Sequence, residues 1–506
     1  MVKILLGNVS CKVIGLTDVD VIRDLDEKMS YKFSGYQFMS GGRGGYKMSG
    51  KYGGWDGVFR LFTKRKSFPA GLLYIAEEVF KKNGIEYSTI DSRPPIKLGK
   101  PLDIIDEDFS PRDYQLDIVK KSLLKGGGII RSATGSGKTS CIAMLAAKYN
   151  IPTVIYVIGI ELLYQMKDTI ERLYGVECGI VGGGKCDTSK NITIMTIWSA
   201  ASAFNKKCKI IDNDLTLDSA KMNKALNKSL VRKVVTESQL VIVDECQYAA
   251  SETVQFLHKA SESARYRFLF SGTPWRDTGD DILINAVGGP KIYDLNATKL
   301  IKENYLVYPE IHFMNVPVMR GVGKTYQEVY RNYIVENPER NNMITKCTKK
   351  LVESGKKVLI LVVRVGHGNS LMELMQDELS IDFLDGKKNA TQRLDAIKKM
   401  KSGELDVLIA SKIFDQGVDI PELDALVLAG SGKSSGRALQ RIGRVIRTHP
   451  GKKKAIVVEF FDNCKYLRDH SEKRIEVYSS EPAFKIIMPK NKVLHKYPKK
   501  KPITWA

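Results

Sequence analysis

Short apolar runs separated by longer amphipathic stretches recur along most of this 506-residue chain. Between residues 99 and 305 the runs fall at 129–130, 153–158, 192–196, 240–243 and 267–270, with helical segments between them. Strands alternating with helices predict a parallel sheet covered by helices, with its ligand site at the strand ends. A second αβ unit repeats the rhythm, with strands at 358–363, 407–409, 425–428 and 455–460 and a helix over 437–447. Ahead of both, residues 58–63 read as a strand. The spacing of Leu72, Ile75, Val79 and Phe80 predicts a helix over 71–83. Pro94, Pro95 and Pro101 bracket a linker. The longest apolar stretch, 151–160, ends at Glu161 and is too short to span a bilayer, so it reads as a buried strand. The expectation is an α/β chain: a small α+β domain (1–98), two parallel-sheet lobes (99–305 and 306–463) and a basic extension (464–506).

Charge narrows the function classes. The chain carries 79 Lys+Arg against 57 Asp+Glu, a net +22, and such an excess suits phosphate contacts and salt-sensitive nucleic-acid binding. Residues 1–98 hold 16 Lys+Arg against 10 Asp+Glu, and 464–506 hold 11 against 4. The eight cysteines form no CxxC pair, and the six histidines make no ligand cluster with them. Zinc and a disulfide framework are therefore not expected, and reduced thiols fit a cytoplasmic protein. The opening Met-Val-Lys-Ile-Leu-Leu-Gly is too short an apolar run for a signal peptide. A monomer working without a membrane is the expectation.

Three segments carry chemistry. Residues 132–139 read Ser-Ala-Thr-Gly-Ser-Gly-Lys-Thr. A glycine-rich turn entering a helix offers backbone N–H groups and a helix N-terminus to phosphate, which puts Thr134, Gly135, Ser136 and Gly137 around the phosphates of ATP. Lys138 would reach the β- and γ-phosphates, and the Thr139 hydroxyl would ligate Mg²⁺. About a hundred residues on, 243–247 read Val-Asp-Glu-Cys-Gln at the end of an apolar run. Asp244 would hold the metal, and Glu245 would orient and deprotonate the attacking water. Near the end, 440–447 read Gln-Arg-Ile-Gly-Arg-Val-Ile-Arg. Arg444 and Arg447, three apart on a helix, could both face the transferring phosphoryl group as arginine fingers.

Together these segments resemble a superfamily 2 helicase, over roughly residues 109–447. The resemblance implies two RecA-like motor lobes, ATP and Mg²⁺ as cofactors, and a DNA partner with a single-stranded tracking strand. Phe109, Arg112, Tyr114 and Gln115 are similar to the family's adenine-reading element, with Gln115 on the base edge. Thr196 resembles a threonine that contacts the DNA backbone. Ser271 and Thr273, in Ser-Gly-Thr-Pro, resemble the hinge that links ATP state to DNA grip. Residues 411–421 match the fifth motif, in which Gly417 allows close backbone approach and Asp419 would reach the ribose or pair with an arginine finger. Three departures matter, and one is Val157-Ile-Gly-Ile160, which stands where the family usually shows a Pro-Thr pair, so no nucleic-acid contact is assigned there. Ser132 stands where Ala or Gly is usual, and Gln247 replaces the usual His while keeping donor and acceptor capacity for coupling to Gln440.

Trp55-Asp-Gly57, Arg60-Leu61, Phe68-Pro69 and Gly71-Leu72, in that order, resemble the N-terminal region of phage branch-migration helicases. That likeness implies remodelling of forks, Holliday junctions and RNA–DNA hybrids in recombination, repair and replication. The loop over 41–54, with Arg43, Lys47, Lys51 and the aromatics Tyr46 and Tyr52, is the candidate for holding duplex or unpaired bases. The rival readings are an RNA-directed helicase, a restriction-type DNA translocase and a non-catalytic nucleic-acid scaffold.

Overall fold

The structure is a computed structural model describing residues 1–32, 56–204, 225–276, 279–319, 321–386, 388, 390–411, 420–430, 432 and 435–489. The loop expectations at Arg43, Tyr46, Lys47, Lys51 and Tyr52, and those at Gly417 and Asp419, lie outside the described residues. The chain separates into two compact units. One comprises Met1–Ser132 and Gly137–Asp294, the other Ala133–Ser136 and Leu295–Ala506.

The first unit is built on an eight-stranded sheet. Its strand order is Lys185–Cys186, Gly179–Gly182, Ile192–Thr196, Thr153–Val157, Leu240–Asp244, Tyr266–Ser271, Gly127–Ser132 and Lys291–Leu295. The five central neighbours pair in parallel. Thr153–Val157 and Leu240–Asp244 are buried along their whole length, as continuous β-branched runs in a parallel sheet require when helices cover both faces. Helices Lys138–Tyr149 and Ile160–Tyr174 each end on a residue in the left-handed region, Asn150 and Gly175, whose N–H closes the last turn.

A smaller mixed sheet lies in the same unit, ordered Ser67–Pro69, Ser10–Ile14, Val2–Leu6 and Tyr87–Asp91, with helices Val19–Lys28 and Leu73–Lys82. Val2–Leu6 pairs antiparallel with Ser10–Ile14 and parallel with Tyr87–Asp91. The helix expected over 71–83 runs Leu73–Lys82 after a 3₁₀ turn, Ala70–Leu72. The strand expected at 58–63 is shorter, Val58–Arg60, and pairs with Ser30–Lys32. Helix Ile282–Gly288 serves two cores. Ile284 and Val287 join the core of the large sheet, whereas Ala286 joins that of the small one.

The second unit has a seven-stranded sheet in the order Ile381–Leu384, Val407–Ala410, Val358–Leu361, Ala425–Val427, Lys454–Asp462, Tyr308–Val316 and Lys485–Ile487, paired in parallel throughout. Tyr308–Val316 was not expected as a strand, because Pro309, Glu310, His312 and Asn315 interrupt its apolar pattern. The protein meets the cost of Glu310 with two ammonium groups: Lys454 and Lys485 each donate at 2.7 Å and hold its carboxyl well below the usual range, at about 2.

One buried ion pair fixes the helix Pro338–Glu353 to this sheet. Arg340 donates through Nε to Asp462 Oδ1 at 3.0 Å and through a terminal nitrogen to the Ala429 carbonyl at 2.6 Å, with neither charged side chain accessible. Its guanidinium also lies 4.6 Å from the centroid of Phe460. Truncating one member of such a pair leaves the other charge desolvated and alone. Arg340→Ala is therefore expected to destabilise the protein by about 3–5 kcal/mol, read as a fall in the denaturant midpoint.

Candidate nucleotide site

The phosphate loop follows strand Gly127–Ser132 and ends at helix Lys138–Tyr149. Gly135 (φ +88°) and Gly137 (φ +76°) adopt left-handed backbone that side chains resist. Gly137 is further constrained by space, since a Cβ there would fall 2.5 Å from Gln115 Nε2. Gln115 is thus packed against the loop. It is buried, and its Oε1 accepts the Arg112 N–H at 2.9 Å, which fixes the amide orientation. Arg112 donates to the Tyr114 hydroxyl at 2.7 Å. Lys138 Nζ lies 3.4 Å from the Ser132 carbonyl oxygen, a weak contact that a phosphate can replace. Ser132 and Ser136 are fully buried, so the small residue at the first loop position fits. Thr139 occupies the first turn of the helix.

Asp244 ends the central strand, flanked by Thr153–Val157 and Tyr266–Ser271. Burial raises its carboxyl well above the usual range. The charge of Glu245 adds to the rise, and Lys138 opposes it. Glu245 takes a left-handed conformation (φ +56°, ψ +61°), a costly geometry for a residue with a side chain and one that clusters at functional sites. Its N–H donates to Asp244 Oδ1 at 3.0 Å. Gln247 Nε2 donates to Glu245 Oε2 at 3.0 Å. The Ser271 hydroxyl lies 2.7 Å from Gln247 Oε1 and 3.2 Å from Glu245 Oε2, while accepting the Thr273 N–H at 3.0 Å. With one proton to give, the hydroxyl favours the nearer Gln247 oxygen. Gln247 therefore joins Glu245 to Ser271 using both ends of its amide.

Thr196 caps a helix. It is buried, its Oγ1 accepts the Ser199 N–H at 3.2 Å, and its proton goes to Ser199 Oγ at 2.8 Å. The hydroxyl expected on a nucleic-acid backbone also caps helix Ile197–Ala203. Its position immediately before a helix was a sequence signal for that role.

In the second unit, helix Ser435–Val445 carries Gln440 and Arg444, with Arg447 just beyond its end. Burial pulls the Arg447 guanidinium down to about 10. The same unit includes Ala133–Ser136, and there Gly443 packs on Thr134: a Cβ at Gly443 would fall 2.3 Å from Thr134 Cβ. Among the described residues no group of His, Cys, Asp or Glu forms a metal cluster. A strand-end aspartate would suit a hydrated, phosphate-bound Mg²⁺, which needs one or two protein oxygens.

Two family patterns match, "Type III restriction enzyme, res subunit" over residues 108–276 and "Helicase conserved C-terminal domain" over 340–449. With the two parallel sheets and the loop–strand-end site, they define the class: the chain belongs to the superfamily 2 helicases, ATP-dependent helicases and translocases that act on nucleic acid. It is 23% identical over 509 residues to the "ATP-dependent DNA helicase uvsW" of Enterobacteria phage T4, spanning 90% of this chain and 93% of that one. It is 25% identical over 416 residues to the "DNA 3'-5' translocase XPB2" of Sulfurisphaera tokodaii, spanning 75% and 86%. A solved fragment of the HsdR subunit of a type I restriction enzyme from Vibrio vulnificus shares the fold, with a TM-score of 0.52 at 18% identity over 71% of this chain and 65% of that one. Among the described residues no helix is long and apolar enough to cross a membrane.

The raised Asp244 pKa has a consequence for metal binding. A carboxyl whose folded-state pKa is raised stays protonated above the ordinary range, so a cation held by Asp244 would have to displace that proton. Affinity for Mg²⁺–ATP is expected to rise steadily from about pH 5 to about pH 7, where an ordinary carboxylate would already be ionised. Titration calorimetry across that range checks it; a flat profile would show that Asp244 ionises normally.

Proposed function

We propose that this chain is an ATP-driven DNA translocase that remodels branched DNA, with forks and Holliday junctions as substrates and RNA–DNA hybrids as a further one. The observation that carries the motor assignment is the chain Asp244–Glu245–Gln247–Ser271 at one sheet end, in the unit that also contains Lys138. DNA as the substrate is supported by the T4 relative, named a DNA helicase, which matches along nearly the whole chain. Support also comes from the basic glycine–aromatic segment 41–54, a composition suited to stacking and phosphate contacts.

The residues divide the work as follows. Lys138 and the loop N–H groups of 134–138 hold the β- and γ-phosphates, and Gln115 faces the adenine. Thr139 and Asp244 hold Mg²⁺, which when bound neutralises phosphate charge and polarises the reacting phosphoryl group. Glu245 takes a proton from the attacking water, and Gln247 fixes the carboxylate by donating to Oε2. Arg444 and Arg447 supply cationic charge to the transferring phosphoryl. Asp419 and Gly417 complete the nucleotide contacts, and Gln440 couples to Gln247. Ser271 and Thr273 link the state of Glu245 to the segment that follows. The archaeal relative is named a 3'–5' translocase, and the same direction is the expectation here.

Glu245→Gln is expected to bind ATP and DNA normally while turnover collapses. Arg444→Ala is expected to lower turnover by about 10³-fold with little loss of ATP affinity. Near-normal hydrolysis by Glu245→Gln in a DNA-stimulated ATPase assay would remove Glu245 as the base. Parallel stimulation by RNA would show that the grip ignores the sugar.

Reversing the charges at Arg43, Lys47 and Lys51 together is expected to impair unwinding of forks and four-way junctions. ATPase activity on single-stranded DNA should be spared. Unaltered junction unwinding would move the selectivity elsewhere in the chain.

A further inference from the structure

Helix Ile282–Gly288 stands between the catalytic turn and the small N-terminal domain, and it contacts both through specific polar bonds. On one side is Gln255, on helix Glu252–Ala260. Its Nε2 donates to the Ala249 carbonyl and to the Leu283 carbonyl, both at 2.8 Å. Ala249 belongs to the 3₁₀ turn Cys246–Ala250, which also carries Gln247. A single amide therefore spends both its protons joining that turn to the helix. On the other side, Asn285 Nδ2 donates to the Tyr74 hydroxyl at 3.0 Å. Gly71 packs so closely that a Cβ there would fall 2.2 Å from the Asn285 carbonyl oxygen and 2.7 Å from that of Ala286.

The two sides of the helix enter different cores. Ile284 and Val287 pack with Val243, Cys246 and Ala249, which flank the site's carboxylates, while Ala286 packs with Leu72, Ala76 and Phe80. Further ties run alongside. Asn8 Nδ2 donates to the Glu262 carbonyl at 2.9 Å, and Arg265 donates to Asp91 at 2.8 Å. Interiors at crystal-like density transmit small displacements because they cannot absorb them. A shift of the small domain therefore has a stiff route to the turn that orients Gln247, and through Gln247 to Glu245.

We propose that Gln255 and helix Ile282–Gly288 are positioning elements that set the orientation of Glu245 according to what the N-terminal domain holds. On this view the domain does more than supply a grip on DNA. Its occupancy raises the rate of hydrolysis by steadying the base, so ATP is spent at the substrate. The inference rests on Glu245 as the general base, assigned above.

The test uses the full chain, a forked DNA duplex as probe, and the variants Gln255→Met and Tyr74→Phe, which keep side-chain shape while deleting the bonds. Each is expected to lower fork-stimulated kcat by about two- to tenfold, the worth of one or two hydrogen bonds, with KM for ATP and fork affinity unchanged. The double variant should lose little more than the worse single one, because both cut the same route. Losses that multiply independently, or stimulation that survives in both variants, would overturn the proposal. A second measurement serves if a variant folds poorly. In the unmodified protein, fork binding is expected to slow amide exchange at residues 246–250 and 282–288; exchange unchanged there would also overturn it. Should Glu245→Gln hydrolyse ATP normally, the base assignment fails. Should Glu245→Gln be inactive while Gln255→Met is fully stimulated, only the coupling fails.

Discussion

Two adjacent carboxylates at the tip of an apolar strand set the terms for the first unit. Leu240–Asp244 is buried along its length, and the sheet carries the Asp244 carboxyl, with Glu245 beside it, to a place where water solvates Asp244 poorly. Such charges persist in a folded protein only with compensation. The surrounding sequence supplies it: the Lys138 ammonium nearby, the Glu245 N–H on Asp244, and the Gln247 amide on Glu245. The residual cost is visible in the raised Asp244 pKa and in the left-handed backbone of Glu245. A metal and a triphosphate would relieve much of that cost, so the folded site is arranged for a ligand.

Gln247 shows how a departure from a family pattern is accommodated. A glutamine at this position can donate to a carboxylate and accept from a hydroxyl simultaneously without any change of protonation. The bonds to Glu245 and Ser271 use that capacity. A histidine in the same place would bridge the two through ring nitrogens whose roles depend on tautomer and pH. The substitution thus makes this link insensitive to pH across the physiological range.

Much of the architecture was legible from local pattern. The central strands of both sheets are continuous apolar runs, and Ile192–Thr196 runs over the residues its sequence suggests. The edges were less legible. Tyr308–Val316 carries buried Glu310, whose partners Lys454 and Lys485 lie more than a hundred residues away, so no local window reveals the compensation. Gly179–Gly182 is a buried strand two of whose four residues are glycine, a composition that reads as a turn. Lys138, Asp244 and Gln115 stood out as candidates because each sits in a short contiguous motif. Gln255 did not, since its meaning comes from two carbonyls brought to it by the fold. Thr196 carries both a motif resemblance and a plain helix-cap signal, and its cap on Ile197–Ala203 is the local one.

The strand Tyr308–Val316 has a consequence for how the protein is made. It sits between Lys454–Asp462 and Lys485–Ile487 in the finished sheet, so during synthesis it emerges long before either neighbour exists. At translation rates of about 5–20 residues per second, the roughly 140 residues to its first partner take about 7–30 s. Throughout that interval both of its edges lack their final pairing, a state prone to wrong strand addition. The proline and the charged and polar residues that disguise this strand in the sequence also make it a poor template for other chains while it waits. What looks like a flaw in its hydrophobic pattern protects the nascent polypeptide on the ribosome.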